Sequence, residues 1–187
     1  MMLMKLFPAL LVALIILISG CTSQTTQGKY SPVNLPPGVP ATGNTPLGSS
    51  VGDKAPDFTL TATDGRVLNL SQLKGKTVVL YFMATWCPFC KEEYGEIIKA
   101  FPAYGNTEFI SVSIDMNENA QTLDSYRKQY NRPGLFAPGN AEILNDYNVI
   151  YTTTKYVISK DGVILYKGSG VLSSDNWKII FDALANN

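Results

Sequence analysis

Cys87 and Cys90, two residues apart in "ATWCPFCKEE", are the side chains of this sequence best suited to chemistry. Three uses of such a pair compete: half of a zinc site, a structural staple, or a dithiol that exchanges with other disulfides. Tetrahedral zinc takes four ligands, and the sequence has no histidine and no second cysteine pair, so a metal or cluster site would need another chain or an external ligand. A disulfide between residues so close in sequence closes too small a loop to stabilise the fold much through the unfolded state. The redox use needs only what is present.

Placement gives the two sulfurs different work. Trp86 is expected to end a buried strand and Pro88 to open a helix, where its missing N–H costs nothing. Cys87 then sits at the helix N-terminus, where free N–H groups and the macrodipole favour a thiolate and make it the attacking sulfur. Cys90, about one turn later and facing the core, becomes the shielded, resolving sulfur. Attack by Cys87 on a disulfide followed by resolution leaves a Cys87–Cys90 disulfide; run in reverse, the same pair donates one. Resolution is helped by a proton acceptor near Cys90. At helical spacing Cys90, Tyr94, Ile97, Ile98 and Phe101 form one apolar stripe, with Glu92 and Glu96 pointing away and Glu93 on its flank, three residues from Cys90. Half-burial there is expected to raise the Glu93 pKa and suit it to acid/base work.

The elements that must hold these residues are legible from patterning. "APDFTLTATDGRVLNLSQL" reads as two short strands about Asp64-Gly65, and "KTVVLYFMATW" as a central strand covered on both faces. A helix is predicted from Pro88 to Ala100, a strand in "TEFISVSID", helices in "NAQTLDSYRKQY" and "NAEILNDY" around an extended "GLFAP", then strands "TKYVIS" and "VILYKGS" and a closing helix over residues 173–184. Strands alternating with helices predict an α/β sheet covered on both faces. Six tyrosines, at 126, 130, 147, 151, 156 and 166, are expected to pack in the core and on sheet faces.

Composition narrows the rest. The 187 residues carry 15 Lys and Arg against 15 Asp and Glu, without the basic run that phosphate-backbone binding requires. Lacking histidine, the chain cannot form Ser-His-Asp or Cys-His catalytic pairs. "MMLMKLFPALLVALIILISGC" has one lysine, an apolar run too short to cross a bilayer and small residues before Cys21, as an export signal would. Its ending "ISGC" resembles a lipobox, which makes residues 1–20 a lipoprotein signal peptide and Cys21 the lipidated residue; the alternative is an uncleaved short anchor with an incidental cysteine. Residues 21–50, rich in Ser, Thr, Asn, Gly and Pro, read as a flexible tether, and residues 51–187 as the folded domain. Export places the pair where disulfides persist.

"VGDKAPDFTLTATDGRVLNLSQLKGKTVVLYFMATWCPFCKEE" and the late "YVISKDGVILYKGSG" resemble the TlpA/ResA-like branch of the thioredoxin superfamily across residues 51–187. The resemblance implies a thioredoxin fold with an N-terminal β-hairpin and a central helix-strand insertion. It also implies an extracytoplasmic, membrane-anchored oxidoreductase with no cofactor. Its site would be Cys87, Cys90 and Glu93, with Trp86, Pro88, Phe89 and Thr153 as neighbours. On the same ground the substrates are protein disulfides, apocytochrome c cysteines among them, with electrons from a membrane donor, on the outer face of a bacterial or archaeal cytoplasmic membrane. Two positions depart from the family. Gly95 stands where a kinking proline is usual, and Thr153 stands where the superfamily has a cis-proline. A cis bond before a non-proline residue costs about 3 kcal/mol, so a trans or altered loop is expected there. The aspartate that cytosolic thioredoxins place on the central strand falls at Tyr81, which removes that acid/base route. Peroxiredoxins carry a threonine three residues before the peroxidatic cysteine, where this chain has Ala84.

Overall fold

The computed structural model describes residue 33 and residues 44–101 and 107–185. Cys21, the signal segment and most of the tether lie outside the described residues.

The strand over "TVVLYFM", β3 (Thr77–Met83), is buried at all seven positions, as a central strand with both faces covered must be. Around it a five-stranded sheet runs in the order β5-β4-β3-β6-β7. β4 (Thr107–Ser113) and β5 (Leu135–Pro138) are parallel neighbours on one side; β6 (Thr154–Ile158) and β7 (Ile164–Gly168) form an antiparallel hairpin on the other. A separate two-stranded hairpin, β1 (Thr59–Thr61) with β2 (Val67–Asn69), precedes them.

Successive residues of a strand face opposite ways, so β3 feeds two cores. Val79, Tyr81 and Met83 join α1 (Pro88–Ala100), α2 (Ala120–Gln129) and α4 (Ser174–Ala185) on one face. Val78, Leu80 and Phe82 join the β1-β2 hairpin and α3 (Ala141–Asp146) on the other. The expected mixed sheet, N-terminal hairpin and central insertion (α2, β5 and α3, between β4 and β6) are all present.

Three local expectations change. Ser111 and Ser113, which alternate with apolar residues in sequence, are both buried, because β4 is an interior strand with a packed layer on each side. Ile98 is 41% exposed and does not share the buried stripe of α1, whose inward positions are Cys90, Glu93, Tyr94, Ile97 and Ala100. Tyr126, Tyr147, Tyr156 and Tyr166 are core residues as expected, whereas Tyr130 and Tyr151 reach solvent.

Candidate active site

Helix α1 starts where β3 has left the sheet. β3 ends at Met83, and a short turn carries the chain to Cys87, the N-cap of α1, with Pro88 at the first helical position. Trp86 does not end the buried strand; it lies on this turn, 62% exposed, its Nε1–H donating to Asp115 Oδ2 at 2.8 Å. Phe89 is equally exposed on the first turn of the helix.

An N-cap side chain normally accepts one of the N–H groups that the first helical turn leaves unpaired. Here that acceptor is sulfur: Cys87 Sγ receives the backbone N–H of Cys90 at 3.1 Å and its thiol donates to Thr152 Oγ1 at 3.2 Å. A donor already aimed at Cys87 Sγ meets the charge that forms there when the thiol ionises or leaves. Both thiols are free, and both are buried, so Cys87 is covered as well as Cys90. Burial, with the neighbouring Cys87, pushes the Cys90 thiol up to about 12. A sulfur so reluctant to ionise needs a proton acceptor in order to attack.

Glu93, expected from the sequence to serve there, is more deeply placed than the sequence predicts. Glu93 is fully buried rather than half-buried, and Oε1 takes Lys155 Nζ at 2.5 Å and the Leu172 N–H at 2.9 Å. Lys155 is also fully buried; its Nζ donates to Gly170 O and lies 5.7 Å from the ring centroids of both Tyr81 and Trp177. Burial raises the Glu93 pKa while the Lys155 charge and hydrogen bond oppose it, and burial lowers that of Lys155 against the pull of Glu93. Loss of solvation thus draws both members toward neutrality.

Lys155 carries no sequence signal of a chemical kind, because its partner is 62 positions away. One indirect signal exists: a lysine within "TTTKYVIS", on a strand whose neighbours are all apolar or small, must find a buried counter-charge.

Thr153, the position of the usual cis-proline, adopts φ +60, and no peptide bond among the described residues is cis. A β-branched residue in the left-handed region is strained. Its hydroxyl holds the loop there, donating to Thr152 O and accepting the Gly170 N–H at 3.1 Å. The loop therefore presents Thr152, not Thr153, to Cys87, while Tyr151, 69% exposed, stands beside it at the surface.

Among the described residues no group of three or more Cys, Asp or Glu side chains is placed to hold a metal ion, and no helix is long and apolar enough to cross a membrane.

Comparison with known proteins agrees with this geometry. The profile of the AhpC/TSA family matches residues 51–167. Thiol-disulfide oxidoreductase ResA of Bacillus thuringiensis subsp. konkukian is 31% identical over 122 residues, covering 64% of this chain and 70% of that protein. Thiol-disulfide oxidoreductase ResA of Bacillus subtilis is 29% identical over 126 residues, 66% of this chain and 70% of that protein. The crystal structure of a thiol:disulfide interchange protein of the thioredoxin family from Chlorobium tepidum superposes with a TM-score of 0.63 at 22% identity, over 71% of this chain and 95% of that one, which establishes the thioredoxin fold.

Proposed function

This chain belongs to the AhpC/TSA family as a ResA-like thiol-disulfide oxidoreductase, and from that premise we propose that it reduces protein disulfides outside the cytoplasm through Cys87 and Cys90. Cys87 attacks the substrate disulfide and forms a mixed disulfide. Glu93 draws the proton from Cys90, whose thiolate attacks Cys87 Sγ and expels the second substrate thiolate. Two electrons pass to the substrate, leaving Cys87–Cys90 oxidised. The observation that carries this reading is the pairing of a capped, hydrogen-bonded Cys87 with a Cys90 thiol set one turn deeper beside a buried carboxyl. Ala84, standing where peroxide chemistry would need threonine, supports disulfide exchange over peroxide reduction.

Protein disulfides such as that of oxidised apocytochrome c are the proposed substrates, with electrons supplied through the membrane and the domain tethered to the outer face of the cytoplasmic membrane by lipid on Cys21. The sequence "ISGC" supports the tether. Mass spectrometry of the mature N-terminus tests it: a lipid-modified Cys21 is expected, and an unmodified Met1 defeats it.

The enzymatic reading is tested with a disulfide-bonded protein substrate. Cys87→Ser should abolish exchange and Cys90→Ser should accumulate the mixed disulfide; a Cys87→Ser protein with wild-type turnover rules the reading out. A redox titration of the pair tests the direction. A potential near that of thioredoxin, about −270 mV, supports reduction, while one near that of DsbA, about −120 mV, reverses it.

A further inference from the structure

Among the buried polar atoms without a hydrogen bond in the core beneath the dithiol, which include Tyr126 Oη and Trp177 Nε1, are the Tyr81 hydroxyl and Glu93 Oε2. An unpaired buried hydroxyl costs about 1–3 kcal/mol, so its retention at the centre of the domain needs a reason. Packing alone would be met by phenylalanine. Tyr81 is completely buried on the middle strand, faces the same core as Cys90, and is the cross-strand neighbour of Lys155 in the β3-β6 register. Lys155 in turn holds the other oxygen of Glu93. A tyrosine hydroxyl can donate one proton while accepting another, which neither Lys155 as an ammonium nor the apolar neighbours can do.

We propose that Tyr81 is the proton relay between Cys90 and Glu93. This deepens the disulfide-exchange reading and rests on it. In the resolving step the Cys90 thiol passes its proton to Tyr81 Oη as Tyr81 passes its own to Glu93 Oε2. The Cys90 thiolate attacks Cys87 Sγ, the new S–S bond forms as the mixed disulfide breaks, and the substrate thiolate leaves with the electron pair. The phenol is restored, and the neutral Glu93 carboxyl later returns its proton to solvent.

The surroundings favour a concerted transfer. The groups facing Tyr81 are Cys90, Glu93 and Tyr94 from α1, Lys155 from β6, Phe109 from β4 and Trp177 from α4, with Tyr166 of β7 responding to Glu93. Burial, then the charges of Glu93 and Cys90, holds the Tyr81 hydroxyl well above its ordinary pKa, so a free tyrosinate is disfavoured and the proton must arrive as the other departs. Without a hydrogen bond of ordinary length to either, the same hydroxyl still lies near enough to lower the pKa of both Cys90 and Glu93.

The test follows the two thiolate releases when the full chain, carrying Cys21→Ser to silence the third thiol, reacts with an aromatic disulfide whose released thiolate is coloured. The first release reports attack by Cys87, the second resolution by Cys90. Tyr81→Phe should leave the first unchanged and slow the second about 10- to 100-fold at neutral pH, the gap closing at alkaline pH where hydroxide can take the Cys90 proton. Adding Tyr81→Phe to Glu93→Gln should slow the second release no further, because both lie on one path. A second release with wild-type rate and pH profile in Tyr81→Phe overturns the relay alone; a wild type with no second release overturns the exchange reading and the relay with it. Should Tyr81→Phe fail to fold, fluorotyrosine at position 81 keeps the ring and lowers the phenol pKa. It must shift the alkaline limb of the second release, and an unshifted limb overturns the relay.

Discussion

Two glutamates are buried, Glu118 against the turn before Cys87 and Glu93 on the helix that follows it, and their surroundings are opposite in kind. Glu118 is enclosed by neutral donors: Oε1 takes the backbone N–H of Thr85 at 2.9 Å together with its hydroxyl, and Oε2 takes the Ser113 hydroxyl at 2.6 Å. Every oxygen is used, and those donors tie the turn before Cys87 to the end of β4. Glu93 shares one oxygen between a lysine and a backbone N–H and leaves the other unpaired. A carboxylate hydrogen-bonded through both oxygens serves as a brace between the segments that supply its donors. One with an unused oxygen opposite a base-poor, desolvated pocket can take a proton without breaking a bond it already makes.

The largest expected effect comes from removing the counter-charge. Lys155→Met should cost about 3–5 kcal/mol at neutral pH, because it leaves Glu93 buried without its cation. The pH dependence has a defined sign. Burial raises the Glu93 pKa above its ordinary 4.5, so between the unfolded and folded values the folded chain holds a proton that the unfolded chain has released. Stability from this group is present at acid pH and is lost as pH rises through that window. Without the lysine the folded value climbs further, so the loss should extend to higher pH. Urea unfolding across pH checks this, and a Lys155→Met protein whose stability loss is flat with pH would break the distinction between the two glutamates.

Glu93→Gln should do less to stability and more to chemistry. Lys155, its pKa already lowered by burial, can shed its proton and pair as a neutral amine with the amide, so a cost of about 1–2 kcal/mol is expected. The resolving step should slow about 100-fold at neutral pH while attack by Cys87 is unchanged, as measured by the two thiolate releases.

The sequence reached this site from one side. Cys87, Cys90 and Glu93 lie at the cap and along one helix, where spacing alone puts Glu93 beside Cys90, and the strands and α-helices were legible because apolar periodicity and turn residues mark them, whereas the 3-10 turn at Leu70–Leu73 read as the end of a strand. The depth of Glu93 was not, since α1 rotates so that Ile98 faces water and Glu93 faces Lys155, a choice made by the sheet beneath rather than by the helix. Likewise Tyr81 reads as the loss of an aspartate, and its hydroxyl gains meaning only when β3 sets it across from Lys155. Thr153 was recognisable as a departure. Its left-handed backbone, and the handing of the Cys87 contact to Thr152, depend on a loop anchored at Gly170, 17 residues further on.

The smallest effect is expected at Glu118, where stability changes and the chemistry does not. Glu118→Gln keeps the shape of the side chain but turns one acceptor into a donor, facing either the Thr85 N–H or the Ser113 hydroxyl. Ser113 can rotate its hydroxyl and accept, which limits the damage. The expected cost is about 1–2 kcal/mol in urea unfolding. Both thiolate releases should keep their wild-type rates and pH profiles, since no donor to Glu118 touches a sulfur. If Glu118→Gln slowed the second release as Glu93→Gln does, the proton path would run through the turn before Cys87 as well as through the core. The difference in hydrogen bonding between the two carboxylates would then no longer separate brace from base.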